Sequence, residues 1–186
     1  MLKINNISFS YGEKQIFRDF SLEICENDRL WLYGESGCGK TTLTRLLLGL
    51  EKADSGEIIK DNDFKFSCVF QENRLLPFKT ALQNVMLVSN NLSLAKENLA
   101  ALGLKDELNT PVNQLSGGMK RRVAIARALT AEFDCLILDE AFTGLDEENI
   151  KTAIKRILEI AQSKPIILIS HSSLEAELLN AQKYEL

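Results

Sequence analysis

From Leu2 to Tyr33 the apolar residues recur mostly at every second position. Ile4, Ile7 and Phe9 alternate with polar neighbours with one slip, Ser21–Ile24 alternates again, and Arg29–Tyr33 runs into a glycine-rich stretch. This period predicts strands with one buried face. Lys40–Leu50 changes to helical spacing, Asp54–Ile59 reads as a turn into a strand, and Phe66–Phe70 as a further short strand. From Glu72 to Thr130 strand signals stop. Thr80–Val88 and Leu94–Leu102 carry helical spacing, Gly103 is placed to stop the second, Asn109–Asn113 reads as a loop, and Lys120–Thr130 is a further helix. Strand, helix and strand then resume at Leu136–Leu138, Glu147–Ile160 and Ile166–Ser170, and Ser173–Asn180 predicts a last short helix. The expectation is one domain: an α/β core from residues 1–71 and 131–186, with a β region at its N-terminal end, interrupted by an all-helical insertion at residues 72–130.

Composition narrows this little. The chain has 186 residues, 45% hydrophobic and 26% charged, the balance of an ordinary globular protein. Its net charge is -4 and its only dense basic cluster is Lys120-Arg121-Arg122, which argues against nucleic acid as the main partner. Cys25, Cys38, Cys68 and Cys135 form no C-x-x-C pair, and the single histidine is far from them in sequence, so no zinc site is legible and reduced thiols are expected. No apolar stretch approaches the roughly 18 residues of a membrane span. Met1–Asn6 lacks the apolar centre of a signal peptide. The expectation is a cytoplasmic chain, not itself inserted in the membrane, that acts at the membrane only through a partner.

The chemistry concentrates at three places. Gly34-Glu-Ser-Gly-Cys-Gly-Lys-Thr41 matches G-x-x-x-x-G-K-[ST] between a predicted strand and a predicted helix. Gly34, Gly37 and Gly39 let the backbone turn so that its N–H groups face phosphate oxygens, and the helix N-terminus adds positive potential. Lys40 reaches outer phosphates, and the Thr41 hydroxyl suits magnesium. Asp139 and Glu140 close the apolar run Leu136-Ile-Leu at a strand end, where α/β proteins place ligands. Asp139 would hold magnesium and Glu140 would orient or deprotonate the attacking water; an acidic helix cap is the plainer alternative. Leu115-Ser-Gly-Gly-Met119 opens a second glycine-rich helix start. One chain cannot easily aim two such starts at one nucleotide, whereas two copies facing head to tail can. Three further residues carry little alone, and for each the plain reading is the better one: Gln71 at a strand end as a turn, His171 beside Ser172-Ser173 as a capping segment, and Tyr11 as a hairpin tyrosine.

Their order is what changes the reading. Taken together the chain resembles the ATP-binding subunit of ABC transporters over essentially its whole length. The resemblance assigns Tyr11 to adenine stacking and Gly34, Glu35, Ser36, Gly37, Cys38, Gly39, Lys40, Thr41 and Thr42 to the phosphate loop. It assigns Gln71 to the loop that senses the γ-phosphate, and Leu115–Met119 to the signature that contacts the partner's ATP through Ser116, Gly117 and Gly118. Asp139 and Glu140 become the magnesium and catalytic acids, Gly144–Asp146 the loop carrying Asp146, and His171 the switch histidine. The implied fold is a P-loop NTPase core of ABC type. The implied cofactors are ATP and Mg2+, with Thr41, Gln71 and Asp139 around the metal and Glu140, Gln71 and His171 around the reacting water. The implied partners are a second ABC ATPase chain, identical or not, and integral membrane permease subunits at the inner face of the cell membrane.

The chain departs from the family pattern in three ways. Met119 stands where the signature usually ends in glutamine, and Thr143-Gly-Leu-Asp146 replaces a common Ser-Ala-Leu-Asp. The stretch after His171 is also short for the family, and no regulatory domain is expected. Arg74-Leu-Leu-Pro-Phe78 lies where the family receives a coupling helix of the membrane subunit; Leu75, Leu76 and Phe78 could equally belong to the core of the insertion. Its wording is most similar to importers of nitrate, sulfonates, taurine or pyrimidine precursors. The alternative is a soluble ABC ATPase of repair, translation or cofactor assembly; the long coiled-coil insertion or tandem domain expected of such proteins is not evident here. A non-hydrolysing switch is disfavoured by Gln71, Glu140 and His171 together.

Overall fold

The computed structural model describes residues 2–186. In chain order it forms β1 (Leu2–Tyr11), β2 (Lys14–Ile24), β3 (Arg29–Tyr33), α1 (Lys40–Leu47), β4 (Ser55–Ile59), β5 (Phe66–Val69), α2 (Ala81–Val85), α3 (Leu92–Ala101), α4 (Gly117–Thr130), β6 (Cys135–Asp139), α5 (Glu147–Ala161), β7 (Ile166–Ile169), α6 (Ser173–Leu179) and β8 (Gln182–Glu185). Two sheets result. β2, β1 and β4 make an antiparallel sheet with β1 central, and β5-β6-β7-β3-β8 make a parallel one.

The slip in the β1 pattern is a bulge. Asn6 takes φ 47, and the pairing jumps from Ile4↔Leu22 to Ile7↔Phe20. The extra residue lets Ile4 and Ile7, three apart, both turn inward and become fully buried. β6 and β7 are buried along their whole length, as expected of continuous apolar runs in the middle of a parallel sheet. Apolar side chains gather in two clusters. One lies between this sheet, β1, β2 and α1, around Phe9, Phe17, Leu32 and Leu43. The other joins the sheet to α2, α3, α4 and α5, around Phe133, Leu136, Phe142 and Ile157.

The helix ends differ from the sequence pattern where local chemistry intervenes. α1 stops at Leu47 because Gly49 turns left-handed (φ 69) and the Leu50 and Glu51 N–H groups return to the Arg45 carbonyl. α2 is only Ala81–Val85, opened by a capping box in which Thr80 and Gln83 exchange side chain–backbone bonds. α4 starts earlier than the apolar period indicates, because Ser116 caps it by accepting from the Met119 N–H at 3.2 Å. Asp146 caps α5 through the Asn149 N–H. Ser172 occupies the cap position of α6, yet its side chain makes no cap bond; its own N–H donates to Ser170 Oγ instead. The strand β8 has no apolar alternation and was not expected; it pairs in parallel with β3 at the sheet edge. In the Arg74–Phe78 stretch the structure divides the two readings. Leu75 packs on the core, while Leu76 is 44% and Phe78 85% exposed.

Candidate active site

Four parallel strands deliver the site from their C-terminal ends. β3 leads into the phosphate loop, β5 into Gln71, β6 ends at Asp139 with Glu140 following, and β7 runs into His171. A cavity of about 230 Å³ is lined by Ser36, Gly37, Gly39, Lys40, Thr41, Thr42, Gln71, Asp139, Glu140, Ile169 and His171. Residues from four separate segments therefore meet in one place, at the strand ends where a parallel sheet presents its ligands.

The loop has the geometry that its glycines predict. Gly37 and Gly39 adopt φ 85 and 114, and a Cβ on Gly39 would lie 2.8 Å from both Ile16 Cγ2 and Phe17 Cζ. Gly39 stands at the start of α1, whose first N–H groups lack helical partners. Lys40 is only 8% exposed, and its Nζ donates to the Gly34 and Glu35 carbonyls at 2.7 and 3.0 Å, within 3.6 Å of Cys38 Sγ. The loop thus folds around its own cation.

The acids differ in environment. Asp139 is 6% exposed, and burial, then the neighbouring Glu140, push its carboxyl above the ordinary range against the pull of Arg121 and Lys40. A cation beside it would relieve that cost. Glu140 is held in the left-handed region (φ 49), with its N–H donating to the Ile169 carbonyl. A non-glycine residue in that conformation costs about 1–2 kcal/mol and needs its surroundings to impose it. His171 Nε2 lies 3.8 Å from Glu140 Oε1. The Trp31 indole N–H donates to the Ser170 carbonyl at 2.9 Å and steadies the turn carrying His171. Neither Asp139 nor Glu140 caps a helix, so that plainer alternative fails.

Not every expected residue lines the cavity. Gly34, Glu35 and Cys38 belong to the loop around Lys40 but do not face the space. Tyr11 lies outside it, 45% exposed and edge-on to Phe9 at 4.8 Å. Ser116, Gly117, Gly118 and Asp146 also lie outside it. The signature start sits instead beside the Asp146 loop, where a Cβ on Gly118 would touch the Gly144 carbonyl and Leu145 at 3.5 Å; one on Gly117 would touch nothing within 4 Å.

Two buried charged residues escaped the sequence reading. Arg121, 3% exposed, reaches from α4 to the segments of Gln71 and Glu140. Glu175, 7% exposed, lies on α6 with its carboxyl pushed upward, first by burial and against the opposing pull of Ser170; its Oε2 is without a hydrogen-bond partner. Arg121 had a legible signal, since it lies on the same stripe as the buried Ala124, Ile125 and Ala128.

Residues 17–143 match the profile of the ABC transporter family. The chain belongs to the ABC transporter family. An aliphatic sulfonates import ATP-binding protein of Paraburkholderia xenovorans is 41% identical over 78% of this chain, though the match spans only 44% of that protein. The ergothioneine transport ATP-binding protein of Helicobacter pylori is 35% identical over 100% of this chain and 97% of its own length. The ATP-binding cassette MJ0796, solved as a dimer in a post-hydrolysis state bound to ADP and Pi, superimposes with TM-score 0.83 at 28% identity, covering 96% of this chain and 91% of that one. The ABC chain described here is accordingly an ATP-binding and ATP-hydrolysing subunit of this family, with the fold of its cassettes.

Proposed function

We infer that this ABC chain is one half of an ATP clamp. Its phosphate loop and the Ser116–Gly118 helix start of a second chain would grip the same ATP, head to tail. The observation that carries this reading is the separation of the two glycine-rich helix starts. One lines the cavity with Gln71, Asp139, Glu140 and His171; the other lies outside it, with open space at Gly117. Ser116 uses an oxygen lone pair on the Met119 N–H, which leaves its hydroxyl proton to donate to a γ-phosphate oxygen. Met119 enters that bond through its backbone, so a methionine in place of glutamine leaves the cap intact. The dimeric state of MJ0796 supports the arrangement.

Within each site, backbone N–H groups of Gly37–Thr41 and Lys40 would cradle the phosphates, and Tyr11 would stack on the base from outside the cavity. The oxygen donors Thr41, Gln71 and Asp139 in one cavity fit magnesium, which prefers hard oxygen ligands and retained water. The bound ion would offset phosphate charge. Glu140 would take the proton of the attacking water, His171 would hold the γ-phosphate side of that water, and Asp146 would meet the partner near its own signature. Residues 72–130 would act as the helical lever and residues 1–71 and 131–186 as the nucleotide core.

The chain would power permease subunits from the inner face of the membrane. Among the described residues no helix is long and apolar enough to cross one. The exposed Leu76, Phe78, Leu87, Val88 and Leu92 offer an apolar surface for such a partner. Asn84 fixes part of it by bonding the Leu76 N–H and the Leu76, Lys79 and Thr80 carbonyls. Importer function is supported by the similarity to the aliphatic sulfonates import protein, and coupling to transport by the similarity to the ergothioneine transport protein. The test is light-scattering mass of Glu140→Gln with magnesium-ATP and with ADP. A dimer with ATP alone is expected; a monomer in both states refutes the clamp.

A further inference from the structure

The guanidinium of Arg121 is buried without helping to bind anything in the cavity. It projects from the second turn of α4, five residues beyond Ser116. Its partners are five backbone carbonyls and one amide oxygen. Nε donates to Ala141 O at 2.7 Å; one terminal nitrogen donates to Phe70 O, Gln71 O and Asn73 Oδ1 at 2.6, 3.2 and 3.1 Å. The other donates to Asp139 O at 3.3 Å and to Glu140 O. A fork of five donors is thereby spent on two segments, the one carrying Gln71 and the one carrying Glu140.

This placement has a mechanical consequence. Glu140 has an unfavourable left-handed backbone, pinned by the Ile169 carbonyl on its N–H side and by Arg121 on its carbonyl side. The Gln71 carbonyl shares the same guanidinium. A shift or tilt of the start of α4 therefore drags the Arg121 fork, and with it both segments. We propose that Arg121 is the positioning residue that ties the Ser116–Gly118 helix start to Gln71 and Glu140 of the same chain. ATP gripped by the signature then sets the geometry of this chain's own water-activating groups, and the two ATP sites of a clamp are coupled through one guanidinium in each chain. The inference rests on the head-to-tail reading above.

The experiment compares Arg121→Gln, Arg121→Lys and Arg127→Gln with the parental chain, reading kcat, the Hill coefficient for ATP and nucleotide binding to the monomer. Arg127 is the control: it lies on the same helix and donates to the Asn73 and Arg74 carbonyls, but not to the Glu140 segment. Arg121→Lys keeps the cation and loses the planar fork, so it covers the case in which the glutamine variant does not fold. The expected result is a kcat lowered about a hundredfold in the Arg121 variants, as misplacement of reacting groups by about 1 Å produces. The Hill coefficient should fall from above one to one, with monomer binding of ATP unchanged, while Arg127→Gln keeps the parental kcat and Hill coefficient. A folded Arg121→Lys with parental kcat and Hill coefficient overturns the proposal. So do equal losses in Arg127→Gln, or loss of monomer binding together with kcat. ATP-dependent dimerisation of Glu140→Gln separates the two failures: a dimer beside an unaffected Arg121 variant refutes the tie alone, a monomer refutes the clamp as well.

Discussion

Gly117→Ala separates what the fold needs from what the clamp needs. Gly117 is the first residue of α4, exposed, without positive φ, and an added Cβ would meet nothing within 4 Å. Within one chain the substitution should therefore help. Alanine is about 0.8–1 kcal/mol better than glycine in a helix interior, and somewhat less at the first position. A gain of about 0.5 kcal/mol is reasonable, and for a chain of this length it raises Tm by about 1–2 °C. In the clamp the same methyl would stand between the backbone N–H groups of the helix start and a γ-phosphate on the facing chain. Moving those donors by about 1 Å costs on the order of a hundredfold in rate. The assay pairs a thermal melt of the nucleotide-free monomer with steady-state ATPase turnover, and adds the scattering mass of the same change on a Glu140→Gln background. The expected signature is a slightly raised Tm, unchanged monomer binding of ATP, turnover lowered about a hundredfold and no ATP-dependent dimer. Parental turnover would refute the reasoning, because the open space would then face no ligand. A lowered Tm would refute the claim that the space is open at all.

Asp139→Asn should remove magnesium-dependent turnover yet raise the Tm of the nucleotide-free protein at neutral pH. Its carboxyl is raised by burial, so as pH climbs through the carboxylate range the unfolded chain ionises first and the parental protein loses stability that the asparagine variant keeps; below that range the two Tm values should converge, and a constant difference across pH would contradict the assignment. Gly39→Ala combines a positive φ with 2.8 Å contacts to Ile16 and Phe17, so it should cost about 2–4 kcal/mol, lower Tm by about 5–15 °C and abolish ATP binding; Gly37→Ala, also at positive φ but with open space, should cost only about 1–2 kcal/mol. Phe78→Ser removes a ring that is 85% exposed and should leave Tm and monomer ATP binding unchanged while weakening co-purification with a permease; a drop in Tm of several degrees would place Phe78 in the core instead.

Much of the element order was legible because its causes are local. The β period, the helical period, the glycine turn before Lys40 and the apolar run before Asp139 each operate within about one element. The short edge strand β8 was not legible, since Gln182–Glu185 has no apolar alternation and becomes a strand only because β3 offers it a parallel partner. Leu75, Leu76 and Phe78 are all apolar, and which of them turns inward depends on Asn84 holding the loop, a contact made across eight residues at Leu76. Ser172 takes the cap position of α6 that its residue type favours, yet its side chain makes no cap bond.

The sequence by itself determined the chemistry available to this protein: a phosphate loop, an acidic strand end, a second glycine-rich helix start, and their order. Those are covalent facts, and the resemblance to the ABC transporter family rests on them alone. Only the tertiary structure decided which groups share a space. It brought Gln71, Asp139, Glu140 and His171 to the phosphate loop, kept Ser116–Gly118 out of that cavity, and put the Arg121 fork between the two. The physical reason is that strand order in the parallel sheet, β5-β6-β7-β3-β8, is set by long-range pairing and burial, so residues far apart in the chain become neighbours while the two glycine-rich helix starts do not.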